Sequence, residues 1–301
     1  MNYLSLNNYL KDTFGCKVYK LSIDGGFTCP NRDGTIDNRG CIFCSGYGSG
    51  DFAASRSLSI SEQIEEAKKK VSAKIKDGKY IAYFQAFTNT YAPINELREK
   101  YTEAITNEDV VAISIGTRPD CLSDEIINLL DELNKIKPVW IELGLQTIHE
   151  ASAEFIRRGY KLSVYDEAIK KLKSKNIYVV THVILGLPGE SEEMMLDTVK
   201  YVCEHKTDGI KLQLLHIIKG TDLAYKYEHR GDYAPSDVMS TYECMTLDEY
   251  AALIYKCVNI IPDTVAIHRL TGDGHKKTLI APLWSGDKKR VLNTINKILS
   301  N

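Results

Sequence analysis

Apolar positions along the chain switch repeatedly between two periods: short runs that alternate or are wholly apolar, and longer runs that repeat every three to four residues. The first short run, residues 17–23, carries β-branched and aromatic side chains and stops at Asp24-Gly25-Gly26, which predicts a strand ending in a turn. Residues 59–77 then place Ile64, Ala67, Val71 and Ile75 on one helical face behind a Ser59-x-x-Glu62 capping box. The pattern continues with strands at 79–85, 110–116, 139–144, 177–185 and 210–218. Between them lie helices at 93–106, 123–136, 151–158, 164–175 and 191–205.

Six strands alternating with helices predict an α/β fold of parallel strands joined by helical crossovers. Runs such as VVAISIG and VVTHVILG are apolar enough to be covered on both faces. A doubly wound sheet and a barrel both satisfy this pattern. Polar residues recur where the strands end, at Gln85, Thr117-Arg118-Pro119-Asp120, Gln146, His182 or Glu190, and His216, and this favours a partial (β/α)6 barrel with its site at that end. Past Gly231 the order changes: Thr246-x-x-Glu249 caps a helix, 264–268 is a candidate further strand, and 287–299 reads as a final helix. The expected organisation is a barrel with an N-terminal loop of cysteines over residues 1–230, and a C-terminal extension packed on it over 231–301.

Composition narrows the function classes. Of 301 residues 44% are hydrophobic and 26% charged, which excludes a disordered chain and supports a sizeable core. A net charge of −2 excludes a whole-protein basic field for nucleic acid and leaves only a local patch. No apolar run is long enough to span a membrane, and the opening MNYLSLNNYLKDTFG lacks a basic segment followed by an apolar one. With eight cysteines in no paired disulfide spacing, a reducing, cytoplasmic setting is expected.

The candidate chemistry lies directly after the first strand. CPNRDGTIDNRGCIFC supplies Cys29, Cys41 and Cys44 as C-x11-C-x2-C within a segment rich in turn residues. Thiolates select zinc, copper(I) or iron–sulfur clusters, and three of them on a cubane would leave one iron open for catalysis. Half a zinc ribbon or a redox pair fits a lone C-x2-C equally well. The remaining cysteines, Cys16, Cys121, Cys203, Cys244 and Cys257, are scattered singly and complete no ribbon; the last four read as buried small side chains.

A three-cysteine loop after the first strand of a β/α alternation resembles the radical S-adenosylmethionine (SAM) superfamily. The wide first gap resembles its branch containing the Elongator catalytic subunit, as do GTRPD at 116–120, ELGLQT at 142–147, RRGY at 157–160, GLPGE at 186–190 and IKGTDL at 218–223. NNYLKDTFG, YFQAFTNTYAP and HRLTGDG are similar to the bacterial YhcC/YtqA-type proteins of that branch.

The resemblance implies that Cys29, Cys41 and Cys44 hold a [4Fe–4S] cluster whose open iron binds SAM, and that reductive cleavage there gives a 5′-deoxyadenosyl radical. It implies Gln85 near the methionine amino group, Gln146 at the ribose, Arg157 or Arg158 at the carboxylate, and Gly186 close to adenine beside Leu185. Thr117 is a further candidate contact and equally a capped strand end. As partners it implies transfer RNA, with work on the 5-substituent of a wobble uridine, and an electron donor of flavodoxin or ferredoxin type. Two rivals stay open: a radical enzyme for a small metabolite or peptide, and a non-enzymatic zinc- or cluster-binding interaction protein. A local RNA-binding patch is expected at Lys276, Lys277, Lys288 and Arg290, with His268-Arg269 and His275 nearby. Trp284 is then either a stacking surface or an anchor.

Overall fold

A computed structural model describes residues 3–48, 50, 53–72, 78–272 and 276–300. Seven strands form one sheet: β1 (Val18–Ile23), β2 (Lys79–Phe84), β3 (Val110–Thr117), β4 (Val139–Gln146), β5 (Tyr178–Leu185), β6 (Gly209–Leu214) and β8 (Ala266–Arg269). Every neighbouring pair is parallel, and spatial order follows chain order without reversal. A doubly wound sheet reverses once, so this order makes the sheet singly wound, a half-barrel left open between β1 and β8.

Helices cover its outer face: α2 (Ile60–Val71), α3 (Ile94–Thr106), α4 (Asp124–Asn134), α6 (Leu162–Ser174), α7 (Glu192–Glu204) and α9 (Leu247–Ile260), while Phe155 of the short α5 (Glu150–Phe155) packs with a separate apolar cluster. Several start on side-chain caps that satisfy otherwise unpaired amides. Ser59 with Glu62 and Thr246 with Glu249 form reciprocal capping boxes, and Ser123 and Ser191 cap α4 and α7. The end of the predicted helix over 59–77 lies outside the described residues.

Six of the seven strands match the alternating pattern, and the seventh, β8, falls on the candidate further strand at 264–268. β8, drawn from the C-terminal region, pairs Gly209 with Ala266 and Ile210 with Ile267. It is only 4 residues long, too short for alternation to stand out. The predicted strand at 210–218 is broken after Leu214, and β7 (Ile217–Ile218) leaves the sheet to pair antiparallel with β9 (Leu279–Ala281). Among the described residues no helix is long and apolar enough to cross a membrane.

Side chains alternate along each strand. Leu21, Phe84, Ile113, Ile141, Val183 and Leu212 pack beneath the helices in the main core, while the positions between them face inward. At the N-terminal end the inner face is apolar: Val18, Ile81, Ala112 and Trp140 meet Leu10 of α1 (Leu6–Phe14), and Tyr9 packs on Trp140 and Tyr178. This plug closes the barrel floor. The next inward positions on β1 to β4 and β6 carry Lys20, Tyr83, Ser114, Glu142 and Lys211, and on β5 His182 follows the apolar Val180.

Candidate active site at the barrel mouth

The cysteine loop leaves β1 and folds over the C-terminal ends of the strands, held by bonds from three directions. Ile42 N–H donates to the Ile156 carbonyl (3.2 Å), and Leu223 N–H of α8 (Asp222–Glu228) donates to the Ile42 carbonyl (2.9 Å). Arg32 ties down the far side, its guanidinium donating to the carbonyls of Cys44 (3.0 Å) and Ser45 (2.7 Å). Ile42 packs with Ile156, Ile184, Leu187 and Leu215 in a small apolar cluster at the mouth.

Within the loop, Cys44 N–H donates to the Cys41 carbonyl (3.0 Å), a turn that sets the C-x2-C pair. The Asn31 side-chain amide lies 3.5 Å from Cys41 Sγ and donates to the Arg157 carbonyl (2.8 Å), which the Cys41 thiol also approaches at 3.7 Å. Burial and the neighbouring Cys44 push the Cys41 thiol up to about 11.

No group of three or more His, Cys, Asp or Glu among the described residues converges on a single metal ion. A cubane, however, presents a separate iron to each thiolate, so its ligands are not required to meet at one point. The donor set is soft, an amide N–H faces a sulfur, and Asn31 Oδ1 is buried without a partner. These features fit a thiolate-held cluster.

Arg157 and Arg158 are not on a helix, as periodicity predicts, because α5 ends at Phe155 and Arg157 turns the chain at φ +57°. The turn sends them in different directions. Arg158 is 3% exposed, and its donors go to the carbonyls of Thr147 (2.6 Å) and Tyr160 (3.0 Å), with the Tyr160 ring 4.7 Å away. It therefore clamps the β4–α6 connection. Arg157 pairs with Asp222 (2.6 Å), keeps a buried Nε without a partner, and belongs to the turn that touches Cys41.

The other candidates are also separated by geometry. Gln85 follows β2, and its Oε1 accepts from Ser22 Oγ (3.1 Å). Thr117 is buried against Thr90 (2.5 Å), which fits the capped strand end. Gln146 takes φ +69° and has a buried Oε1 with no partner. Leu185 packs in the main core beneath the helices, and Ile184 is the residue that meets the mouth cluster.

At Gly186 the positive φ (+87°) and the approach of Met245, whose Cε would lie 2.9 Å from an added Cβ, account for the glycine. Its carbonyl accepts from Tyr242 Oη (2.9 Å), so residues 242–245 cover this position. Trp284 is an anchor: its Nε1 donates to the Met245 carbonyl (2.9 Å) and its ring packs on Tyr250.

Of the polar layer below the mouth, sequence reasoning named only His182. Glu142 is fully buried. Its Oε1 accepts from Lys20 Nζ (2.5 Å) and Ser114 Oγ (2.8 Å), while its Oε2 pairs with His182 Nε2 (2.7 Å) and Lys211 Nζ. Burial works against its charge, but Lys20, Lys211 and His182 hold the carboxyl well below the ordinary carboxylate range. Burial draws Lys211 down to about 7 against the pull of Glu142, and burial with Lys211 draws His182 down to about 4. A charge in an otherwise apolar strand, repeated at the inward register of four strands, is the signal that could have revealed this layer.

Comparison with known proteins places the chain. The family model described as Radical SAM superfamily matches residues 38–202, and that described as Radical_SAM C-terminal domain matches residues 207–301. YtqA of Bacillus subtilis is 46% identical over 99% of this chain and 90% of its own length. A tRNA uridine(34) acetyltransferase of Methanocaldococcus jannaschii is 34% identical over 42% of this chain and 23% of its own length. Among solved structures, the archaeal Methanocaldococcus infernus Elp3 superposes with a TM-score of 0.67 at 18% identity, covering 93% of this chain and 63% of that one. The half-barrel, the cysteine loop at its mouth and these matches lead to one conclusion: the chain belongs to the radical SAM superfamily.

Proposed function

We propose that this protein is a radical SAM enzyme acting on the 5-substituent of a transfer-RNA wobble uridine, taking carboxymethylaminomethyluridine toward aminomethyluridine. Membership in the superfamily implies SAM and a [4Fe–4S] cluster as cofactors. When bound, they supply a 5′-deoxyadenosyl radical on one-electron reduction by a flavodoxin- or ferredoxin-type donor.

The chain's own residues have separable tasks in this reading. Cys29, Cys41 and Cys44 hold the cluster, and Asn31 donates toward the Cys41 sulfur. Arg157, with its unpartnered Nε beside the Cys41 turn, meets the methionine carboxylate, and Gln146 Oε1 accepts from a hydroxyl. Arg158 fixes the turn that carries both. The apolar mouth cluster around Ile184 excludes water from the reacting carbon.

The observation that supports the RNA substrate is the partial match to an enzyme named for uridine 34 of transfer RNA. Modified nucleosides in transfer RNA from cells with and without the gene provide the test. Loss of the gene is expected to leave the carboxymethylaminomethyl form and remove forms derived from aminomethyluridine. An unchanged profile would overturn the substrate assignment.

A further inference from the structure

Helices α1 to α9 each contain at least one Asp or Glu. The last helix, α10 (Lys288–Ser300), is the exception. It holds Lys288, Lys289, Arg290 and Lys297 and no acidic residue, in a chain with 38 basic and 40 acidic side chains overall. Its apolar stripe of Val291, Ile295 and Leu299 packs into the main core. Lys289, Arg290, Asn293, Thr294 and Lys297 recur at helical spacing on the other face, and with Asp287 they line a groove of about 390 Å³. Asp287 is the one carboxylate in that lining, and its Oδ1 accepts from the Arg290 backbone N–H (3.1 Å). Three cations in the first turn oppose the helix dipole, which favours anions there, so local helix stability does not account for them.

The groove begins beside the barrel mouth. β7 follows the C-terminal end of β6 and pairs with β9, and the chain then runs through the single turn Leu283–Gly286 into α10. Within that turn Trp284 is bonded to the Met245 carbonyl, in the segment that covers Gly186. From Lys289 to Lys297 the helix rises about 12 Å, which passes about three phosphates of one nucleic-acid strand. The lining also indicates the kind of partner. It contains no apolar or aromatic residue, and the exposed Leu283 nearby is outside it. Protein interfaces are centred on buried aromatic and apolar anchors, which this face lacks. Phosphate oxygens are instead met by Lys, Arg and Asn side chains, the groups that dominate here.

We propose that the outward face of α10 is a phosphate-binding surface that holds the backbone of the RNA substrate beside the barrel mouth. Lys289, Arg290 and Lys297 pair with successive phosphates and Asn293 donates between them, while Thr294 Oγ1 stays bonded to the Arg290 carbonyl (3.0 Å). Of the four basic residues expected from the sequence to form an RNA patch, Arg290 lines this groove; Lys289 and Lys297 are added by the structure. That the nucleic acid is transfer RNA rests on the function proposed above; the one-signed helix and its all-polar groove do not.

Filter binding of a transfer-RNA transcript to the reconstituted protein over a salt series tests the surface, with a melt of each variant beside it. Changing Lys289, Arg290 and Lys297 together to Ser is expected to weaken binding tenfold or more at about 100 mM salt and to flatten the log K against log salt slope by about 2–3. Changing Lys69, Lys170 and Lys200 to Ser removes the same charge from exposed positions on α2, α6 and α7, and is expected to alter affinity less than threefold. Should the triple variant melt early, Lys297→Ser alone is expected to flatten the slope by about 1. Wild-type affinity and slope in the α10 variants, an equal loss in the control, or no binding by wild type would each overturn the surface. Unchanged RNA binding together with a loss of 5′-deoxyadenosine formation driven by a flavodoxin-type donor, but not by dithionite, would assign the face to the donor and overturn it as well. Loss of RNA binding in the α10 variants, with an unchanged nucleoside profile in cells lacking the gene, would sustain the surface and refute the wobble-uridine reading.

Discussion

Replacing Glu142 by Gln keeps the volume but removes the carboxylate shared by Lys20, Lys211 and His182. Breaking a buried ion pair from one side costs about 3–5 kcal/mol, because the remaining charge stays buried. Lys211 limits that cost, since its folded pKa of about 7 lets it shed a proton instead. An unfolded lysine titrates near 10.4, so between pH 7 and 10 the unfolded chain binds more protons, and the Lys211 contribution makes stability rise with pH across that window. At pH 9 Lys211 is neutral in wild type and variant alike, whereas at pH 6 only wild type can hold it charged against a carboxylate. The variant should lose about 3–5 kcal/mol at pH 6. At pH 9 it should lose about 2 kcal/mol, the worth of the remaining charged hydrogen bond to Lys20. Urea titrations followed by fluorescence of Trp140, which lies 5.1 Å from Lys20 Nζ, measure both. A loss below about 1 kcal/mol at pH 6, or one equal at the two pH values, would refute this reading of the layer.

Three further outcomes are expected. Cys41→Ala should abolish 5′-deoxyadenosine formation and lower bound iron, while Cys257→Ala, a buried thiol in the main core, should retain both; iron and sulfide analysis with a product assay decides it. Arg157→Ala should weaken SAM binding about tenfold to a few hundredfold with an unchanged melt, whereas Arg158→Ala should cost about 3 kcal/mol of stability by leaving buried carbonyls unpaired, so titration beside a melt distinguishes them. Changing Lys276, Lys277, Lys288 and Arg290 to Ser, all exposed and the last two at the start of α10 (Lys288–Ser300), should weaken transfer-RNA binding and flatten the log K against log salt slope by about 2–4; filter binding over salt measures the slope.

The sequence made the repeating layers legible because they depend on local periodicity. Capping boxes at Ser59 and Thr246 and the apolar strand runs predict elements that the structure contains. β8 was weaker because four residues give little period to read, and its place in the sheet depends on pairing with β6. Arg157 and Arg158 were misplaced because one positive φ ends α5 early, a backbone choice that helical spacing does not record. Which of Ile184 and Leu185 faces the mouth is hidden in the sequence, because a wholly apolar strand does not show which side chain faces which way. The charged layer was overlooked for a different reason. Lys20, Glu142 and Lys211 lie far from one another and from His182 in sequence, and each of the three alone reads as an ordinary polar position until the barrel brings them together.

The proposed function makes the cysteine loop the site of one reaction on a modified uridine. Purified protein with a reconstituted cluster, given SAM, reductant and transfer RNA carrying carboxymethylaminomethyluridine, should convert the nucleoside and release 5′-deoxyadenosine in the same tube, with neither change in the Cys41→Ala protein. Release of 5′-deoxyadenosine at the same rate with and without the RNA, and an unchanged nucleoside, would contradict it.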